Sequence, residues 1–301
     1  DKKPGIILVI DGSGSREEDR ELFNVKEKYH PRFIDQTHFS GKENISAYWF
    51  DGSNSYLIYR FSPSCAPFES YNLFSQGFLQ SIGHYWRWAS LYCCGSTNEA
   101  GKVMGLAALG DEIKSNENPF LKLTDSARVE LDFQKLNQMY KEPNIFSLDL
   151  SNSKHHQNLA RRVQLETENV ILKLLSILKK KFPCEILYLT GGVALNVVAN
   201  ERIKKSNLFK EIILNGSVED NGTAIGAGIA ANLAKGYHRK FSDIKDYYGR
   251  NYAKDELIKA ISNFNLSYEI LSDKEFIIKA AEMIKQEKII GWFQGGSEFG
   301  P

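Results

Sequence analysis

Leu189-Thr190-Gly191-Gly192-Val193-Ala194-Leu195-Asn196 is the stretch that decides the fold, and Glu219-Asp220-Asn221-Gly222-Thr223-Ala224-Ile225-Gly226 repeats its plan downstream. In each, an apolar run that reads as a buried strand ends in a glycine or acidic turn, and a small-residue helix follows. The strands are Ile186 to Leu189 and Ile212 to Leu214. A turn of this kind lets backbone N–H groups face an anion with no side chain in the way. One glycine pair is weak evidence. Two such junctions about thirty residues apart point to a nucleotide or phosphorylated ligand held between elements of an α/β sheet. Gly191, Gly192, Val193, Asn196, Asn221 and Gly222 are the candidate contacts.

The same logic extends to the start of the chain. Gly5 to Ile10 is a short buried strand, and Asp11-Gly12-Ser13-Gly14-Ser15 is a tight polar turn after it. Asp11 and Asp220 occupy similar places, each past a β-run and beside a glycine turn. Two carboxylates at strand ends can share a metal ion. They can equally be turn residues that cap the next backbone N–H groups. Glu99 to Ala107 reads as a helix with glycine at 101 and 105, which costs stability unless a backbone or ligand approaches closely. Lys102 is a candidate partner for a phosphate and Glu99 for a ribose hydroxyl; the plainer alternative is an ordinary exposed pair.

Between these motifs, Ile45 to Phe50 and Tyr56 to Phe61 flank Asp51-Gly52-Ser53-Asn54 as a hairpin. Arg16 to Lys42 is expected to be loop with short helices, and Ala127 to Tyr140 a weak helix. Phe68 to Leu91, with Phe74, Phe78, Tyr85, Trp86 and Trp88, reads as core lining or a pocket wall. Asn98 to Leu109 is a helix with Gly110 at its C′ position. Lys154 to Lys181 is the clearest helix, with an apolar stripe and a lysine run at its C-terminal end, stopped by Pro183. His155 and His156 are expected to be solvated, and His84 receives no role. After Gly236 to Tyr252, which reads as a linker, come a helix (Asp255 to Asn263), a strand (Leu266 to Leu271), a helix (Lys274 to Gln286) and a strand (Ile289 to Phe293).

The 301 residues suffice for two domains. The 38 Lys and Arg nearly balance 37 Asp and Glu, so no basic surplus points to nucleic acid. No apolar run approaches the roughly 20 residues of a membrane span, and no signal peptide is visible. Cys65, Cys93, Cys94 and Cys184 form no metal-binding spacing and fit free thiols in a cytoplasmic protein. Both termini fall beside strands, so the chain reads as part of something longer.

Together these pieces resemble the O-carbamoyltransferases of the nodulation protein U and tobramycin carbamoyltransferase family. The resemblance rests on Val9-Ile10-Asp11-Gly12, Gly101-Lys102-Val103-Met104-Gly105-Leu106-Ala107, Thr190 to Asn196, Glu219 to Gly222 with Gly226-Ala227-Gly228, and Gly291-Trp292-Phe293-Gln294-Gly295 with Glu298-Phe299-Gly300-Pro301. It implies an α/β chain with an actin/sugar-kinase/heat-shock-chaperone (ASKHA) ATPase fold over 1–240, a linker at 241–252, and the start of a YrdC-like domain over 253–301. It further implies ATP-dependent transfer of a carbamoyl group, from carbamoyl phosphate through carbamoyl adenylate, to a hydroxyl of a sugar or natural product. Asp11 and Asp220 match the family's metal aspartates, the metal being iron, with magnesium or manganese as alternatives. Gly12, Ser13, Gly14, Glu99, Lys102 and the two glycine turns would hold the nucleotide. Expected partners are carbamoyl phosphate, a small-molecule acceptor and a second copy in a homodimer, with neither nucleic acid nor membrane. Two departures stand out. The family's HxxxH ligand pair would lie before Asp1, and the arginine of its Gly-Arg-Met-Glu-Phe-Gly-Pro motif is Gly296 here. The chain as given is therefore expected to be an incomplete catalyst. A kinase or ATPase of the same fold, and a non-catalytic nucleotide-binding homologue, are the competing readings.

Overall fold

A computed structural model describes residues 3–14, 27–37, 42–63, 80–113, 118–141, 154–214, 216–237, 247 and 249–298. The chain divides into two compact units, Asp1–Ala227 and Gly228–Pro301. The expected linker at 241–252 falls largely outside the described residues, as do Phe74, Phe78 and Cys65.

The first unit is a mixed α/β structure. Its strands are β1 (Gly5–Ile10), β2 (Tyr29–Thr37), β3 (Ile45–Phe50), β4 (Ser55–Ser62), the short pair β5 (Leu121–Leu123) and β6 (Val129–Leu131), β7 (Ile186–Thr190) and β8 (Glu211–Ile213). The central sheet has six strands in the order β2-β4-β3-β1-β7-β8. β1 pairs in parallel with β7, Ile6 opposite Leu187 and Val9 opposite Thr190, and β7 pairs in parallel with β8. On its other side β1 is antiparallel to β3, which forms the expected hairpin with β4. The strand order therefore brings the C-terminal ends of β1, β7 and β8 to one edge of the sheet, where ligands of open α/β sheets bind.

The helices of this unit are α1 (Ile82–Cys94), α2 (Ala100–Ala107), α3 (Phe133–Lys141), α4 (Lys154–Lys181) and α5 (Val197–Lys205). α1 begins at Ser81, whose Oγ accepts from His84 N–H, and ends at Gly95 in the left-handed conformation (φ 72°). α4 has the bounds read from its periodicity, and buries Leu159, Val163, Val170, Ile171, Leu174 and Leu178. Tyr85, Trp86, Trp88 and Tyr92 of α1 are buried, so the visible part of the aromatic segment is core.

α4 also carries an acid that periodicity did not flag. Glu166 is fully buried and its carboxylate accepts four hydrogen bonds: from Tyr85 Oη (2.9 Å), Phe120 N–H (3.2 Å), Leu121 N–H (2.9 Å) and Arg162 Nε (2.8 Å). It ties α1 and β5 to α4. Beside it, Trp86 Nε1 donates to Thr167 Oγ1 at 2.9 Å.

Several local expectations are corrected. The charged segment expected to be loop contains strand β2, which pairs with β4 at the sheet edge. Ala127–Leu131 is not helical: it turns at Ala127 (φ 64°) and enters β6, and α3 starts only at Phe133. Gly110 does not take a positive φ; a Cβ there would lie 2.5 Å from Gln157 O on α4, so close approach explains the residue. His156 is buried against Tyr92, whose Oη lies 2.9 Å from His155 Nε2, so only His155 of that pair is exposed.

Helix α6 (Asp220–Ala234) runs through the division between the units and has no buried residue. The second unit holds α7 (Lys254–Asn263) and α8 (Asp273–Lys285), both as expected. Ser272 and Glu275 form a reciprocal capping box at the start of α8. The two expected strands here, Leu266 to Leu271 and Ile289 to Phe293, have no ladder partner among the described residues. They flank α8 around an open cleft of about 690 Å³ lined by Leu271, Phe276, Met283, Ile289 and Trp292. Gly296 is approached by the carbonyls of Tyr247 and Gly249, which would lie 2.6 and 2.7 Å from a Cβ. That crowding is a steric reason for the glycine. Among the described residues no helix is long and apolar enough to cross a membrane.

Candidate functional site

The edge formed by β1, β7 and β8 gathers the three turns singled out in the sequence. β1 delivers Asp11, whose N–H donates to Asn44 O at 2.8 Å. Gly12 is then clamped from two sides: Ser81 Oγ donates to its carbonyl at 3.0 Å, and Asn44 Nδ2 donates to the same oxygen. Gly83, in the first turn of α1, packs so closely on Gly12 that a Cβ on Gly83 would overlap the Gly12 backbone. His84 lies beside it, buried, with its Cδ2 3.7 Å from the position of a Gly12 Cβ. Burial, aided by the positive charges of Arg87 and Lys42, pushes the His84 pKa down to about 4, so its ring is neutral at neutral pH. Ser13 and Gly14 are exposed, and Gly14 N–H donates to Glu43 O at 2.6 Å.

β7 delivers the glycine pair. Gly191 has φ 92°, and a Cβ there would overlap the backbone of Ile10 on β1. Both facts demand glycine. Gly191 N–H and Thr190 Oγ1 donate to Val218 O, at 2.7 and 3.1 Å, which joins the β7 turn to the segment after β8. Gly192–Leu195 then forms a 3-10 turn. The N–H groups of Gly192 and Val193 have no backbone or side-chain acceptor among the described residues, as expected of the first donors of a helical turn. The Asp11 carboxylate lies against this turn: a Cβ built on Gly192 would be 3.3 Å from its Oδ1. Gly222 closes the cluster by packing on Ser217 O, and Asn221 Oδ1 is buried without a hydrogen-bond partner.

Asn196, expected at the ligand, has its amide engaged elsewhere. Its Oδ1 caps α5 by accepting from Ala199 N–H (3.0 Å) and also accepts from Gln164 Nε2 (3.1 Å); its Nδ2 donates to Gln164 Oε1 (3.0 Å). Gln164 and Glu168 of α4 continue this network to Arg202 of α5. Asn196 therefore anchors the helix behind the glycine turn. Lys102 is 71% exposed at its side chain and paired with Glu99 at 2.8 Å, and among the described residues no backbone approaches the glycines of α2. Asp220 is exposed at the start of α6. Among the described residues no group of three or more His, Cys, Asp and Glu side chains gathers to hold a metal.

Asn44, Ser81, Gly83 and His84 were absent from the sequence-level candidates, yet they hold the Asp11 turn. Only Ser81 carried a local signal, as a serine ahead of a helix. The rest reach the turn by contacts between residues distant in sequence.

Comparison with known proteins identifies the family. Residues 31–229 match the family described as Carbamoyltransferase N-terminus. An uncharacterized protein of Methanocaldococcus jannaschii is 33% identical over 153 residues, 48% of this chain and 25% of that protein. Nodulation protein NolNO of Sinorhizobium fredii is 25% identical over 205 residues, 66% of this chain and 30% of that protein. Nodulation protein NolO of Bradyrhizobium diazoefficiens is 26% identical over 213 residues, 69% of this chain and 39% of that protein. The matched segments thus span between 25% and 39% of the length of these relatives. With more than half of its length covered by the family match, the chain belongs to the carbamoyltransferase family through its N-terminal region.

Proposed function

We propose that this chain is the nucleotide-handling part of an ATP-dependent O-carbamoyltransferase. In this reading residues 1–240 form an ASKHA-type unit, 241–252 a linker, and 253–301 the beginning of a YrdC-like unit. The observation that carries it is the convergence of Asp11, the Gly191–Gly192 turn and the Val218–Gly222 segment at the ends of three parallel strands, with the Gly192 and Val193 N–H groups uncommitted. Such donors suit phosphate oxygens.

The proposed chemistry has two stages. Carbamoyl phosphate and ATP give carbamoyl adenylate, with water consumed and phosphate and pyrophosphate released. An acceptor hydroxyl then attacks the carbamoyl carbon: the new C–O bond forms, the bond to the adenylate oxygen breaks, and AMP leaves. The residues named here stabilise the departing phosphate. The Gly192 and Val193 N–H groups receive its oxygens, and the Gly12 to Gly14 turn, Gly222 and Asn221 shape the remaining wall. Lys102 is a further candidate for a phosphate and Glu99 for a ribose hydroxyl.

Asp11 and Asp220 are oxygen donors that suit a hard divalent cation, and the orphaned Asn221 Oδ1 is a third oxygen of that kind. A divalent metal, iron by family likeness, would polarise the carbamoyl carbonyl when bound; two carboxylates alone leave its coordination incomplete. Free Cys93, Cys94 and Cys184 fit the proposed cytoplasmic setting. Product analysis on the whole protein tests the reading. AMP and pyrophosphate that appear only with carbamoyl phosphate support it. ADP and phosphate would assign a kinase or ATPase instead.

A further inference from the structure

A second, polar pocket of about 400 Å³ opens at the β5–β6 hairpin and the first turn of α3. Its wall includes Gln80, Lys122, Arg128, Glu130, Asp132 and Lys135. Two of the three cations already have carboxylates: Lys122 pairs with Glu130 at 3.1 Å and Lys135 with Asp132 at 2.8 Å. Arg128 differs. Its backbone is fully used, its N–H donating to Thr124 Oγ1 (3.0 Å) and its carbonyl accepting from Thr124 N–H (2.9 Å). Its guanidinium has no ion pair among the described residues, and its Nε is buried without an acceptor. A buried donor without a partner is costly, more so when charged, and native proteins leave few of them.

We propose that this pocket is an oxyanion site, in which Arg128 holds a phosphate or carboxylate group of a small-molecule ligand. The planar guanidinium presents its donors as a fork that matches either group. Among the described residues the lining carries three cations and two carboxylates, and the cation without a carboxylate is Arg128. The hairpin presents the residue rigidly, because Ala127 makes the tight turn (φ 64°) and buried Val129 pairs with Leu123 across the ladder. The pocket wall also joins the strand-end cluster. Gln80 directly precedes Ser81, whose Oγ bonds the Gly12 carbonyl at 3.0 Å. An anionic group seated here is placed to come from either a phosphorylated donor or an acidic acceptor.

Arginine-selective labelling of the whole protein with phenylglyoxal, mapped by mass spectrometry, tests this without a folding-sensitive variant. Inorganic phosphate at about ten times its dissociation constant is expected to slow modification of Arg128 by about tenfold, and to leave exposed Arg32 unchanged. Acetate is the second probe. Protection by phosphate alone assigns a phosphate-bearing ligand, and protection by acetate as well assigns a carboxylate-bearing one. The same protection must persist in Gly192→Val, where the glycine turn is blocked, which separates this site from the nucleotide reading. No protection by either anion, an Arg128 that is unreactive throughout, or protection lost in Gly192→Val would overturn the proposal.

Discussion

Both units of this chain carry helical signals but differ in what those signals achieve. In the first, helix α4 buries its apolar stripe, and the more deeply buried of its two buried acids, Glu166, has four donors. In the second, α7 and α8 form at the expected positions, α8 with a reciprocal capping box, yet neither has a buried residue. Periodicity and caps determine where a helix forms; burial of its face determines how much it stabilises. The apolar runs beside α8 make the same point for strands, since a strand exists only with a partner to receive its hydrogen bonds.

That contrast can be broken at its strongest point first. Glu166→Ala strands the Tyr85 hydroxyl and two backbone N–H groups, and is expected to cost about 3–5 kcal/mol in urea denaturation of the first unit. Leu174→Ala on the same helix should cost about 2–5 kcal/mol through lost burial and a cavity. Ser272→Ala removes the cap of α8 and should cost about 1 kcal/mol, read as helix content or melting of the second unit. In the 301-residue chain, Ile277→Ala on that helix, at a residue 62% exposed there, should stay within about 0.5 kcal/mol. Equal losses at Leu174 and Ile277 would erase the distinction between the units. The smallest effect sharpens it chemically: burial pushes the Cys93 thiol up to about 12. Iodoacetamide should leave Cys93 unmodified in the native protein at pH 8, because too little thiolate forms there. Rapid native-state alkylation would show that this core is open.

The sequence was most readable where one residue type had one physical reason. The glycine pair after β7 was legible because only glycine takes φ 92° against the Ile10 backbone. The strands β1, β3, β4 and β7 were legible because they are apolar and bounded by turns. Strand β2 was not, because it contains Pro31 and charged residues, which an edge strand tolerates and a central one does not. The β5–β6 hairpin was hidden by its three-residue strands and by Ala127 at the left-handed position, where glycine or asparagine would have marked the turn. Asn196 lies in the glycine turn read from the sequence, and its amide caps α5. Asn44 and His84 reach the Asp11 turn only through the fold, and no local pattern announces that.

The most direct test of the account is the affinity for ATP, measured calorimetrically on the whole protein and on its Gly192→Val variant. Gly192 does not need a positive φ, so the variant is expected to fold, while its side chain would crowd Asp11 and cover the uncommitted N–H groups. A loss of about tenfold or more, roughly 1.4 kcal/mol, at an unchanged melting temperature is the expected result. An unchanged affinity would contradict the placement of the nucleotide phosphates at the ends of β1, β7 and β8.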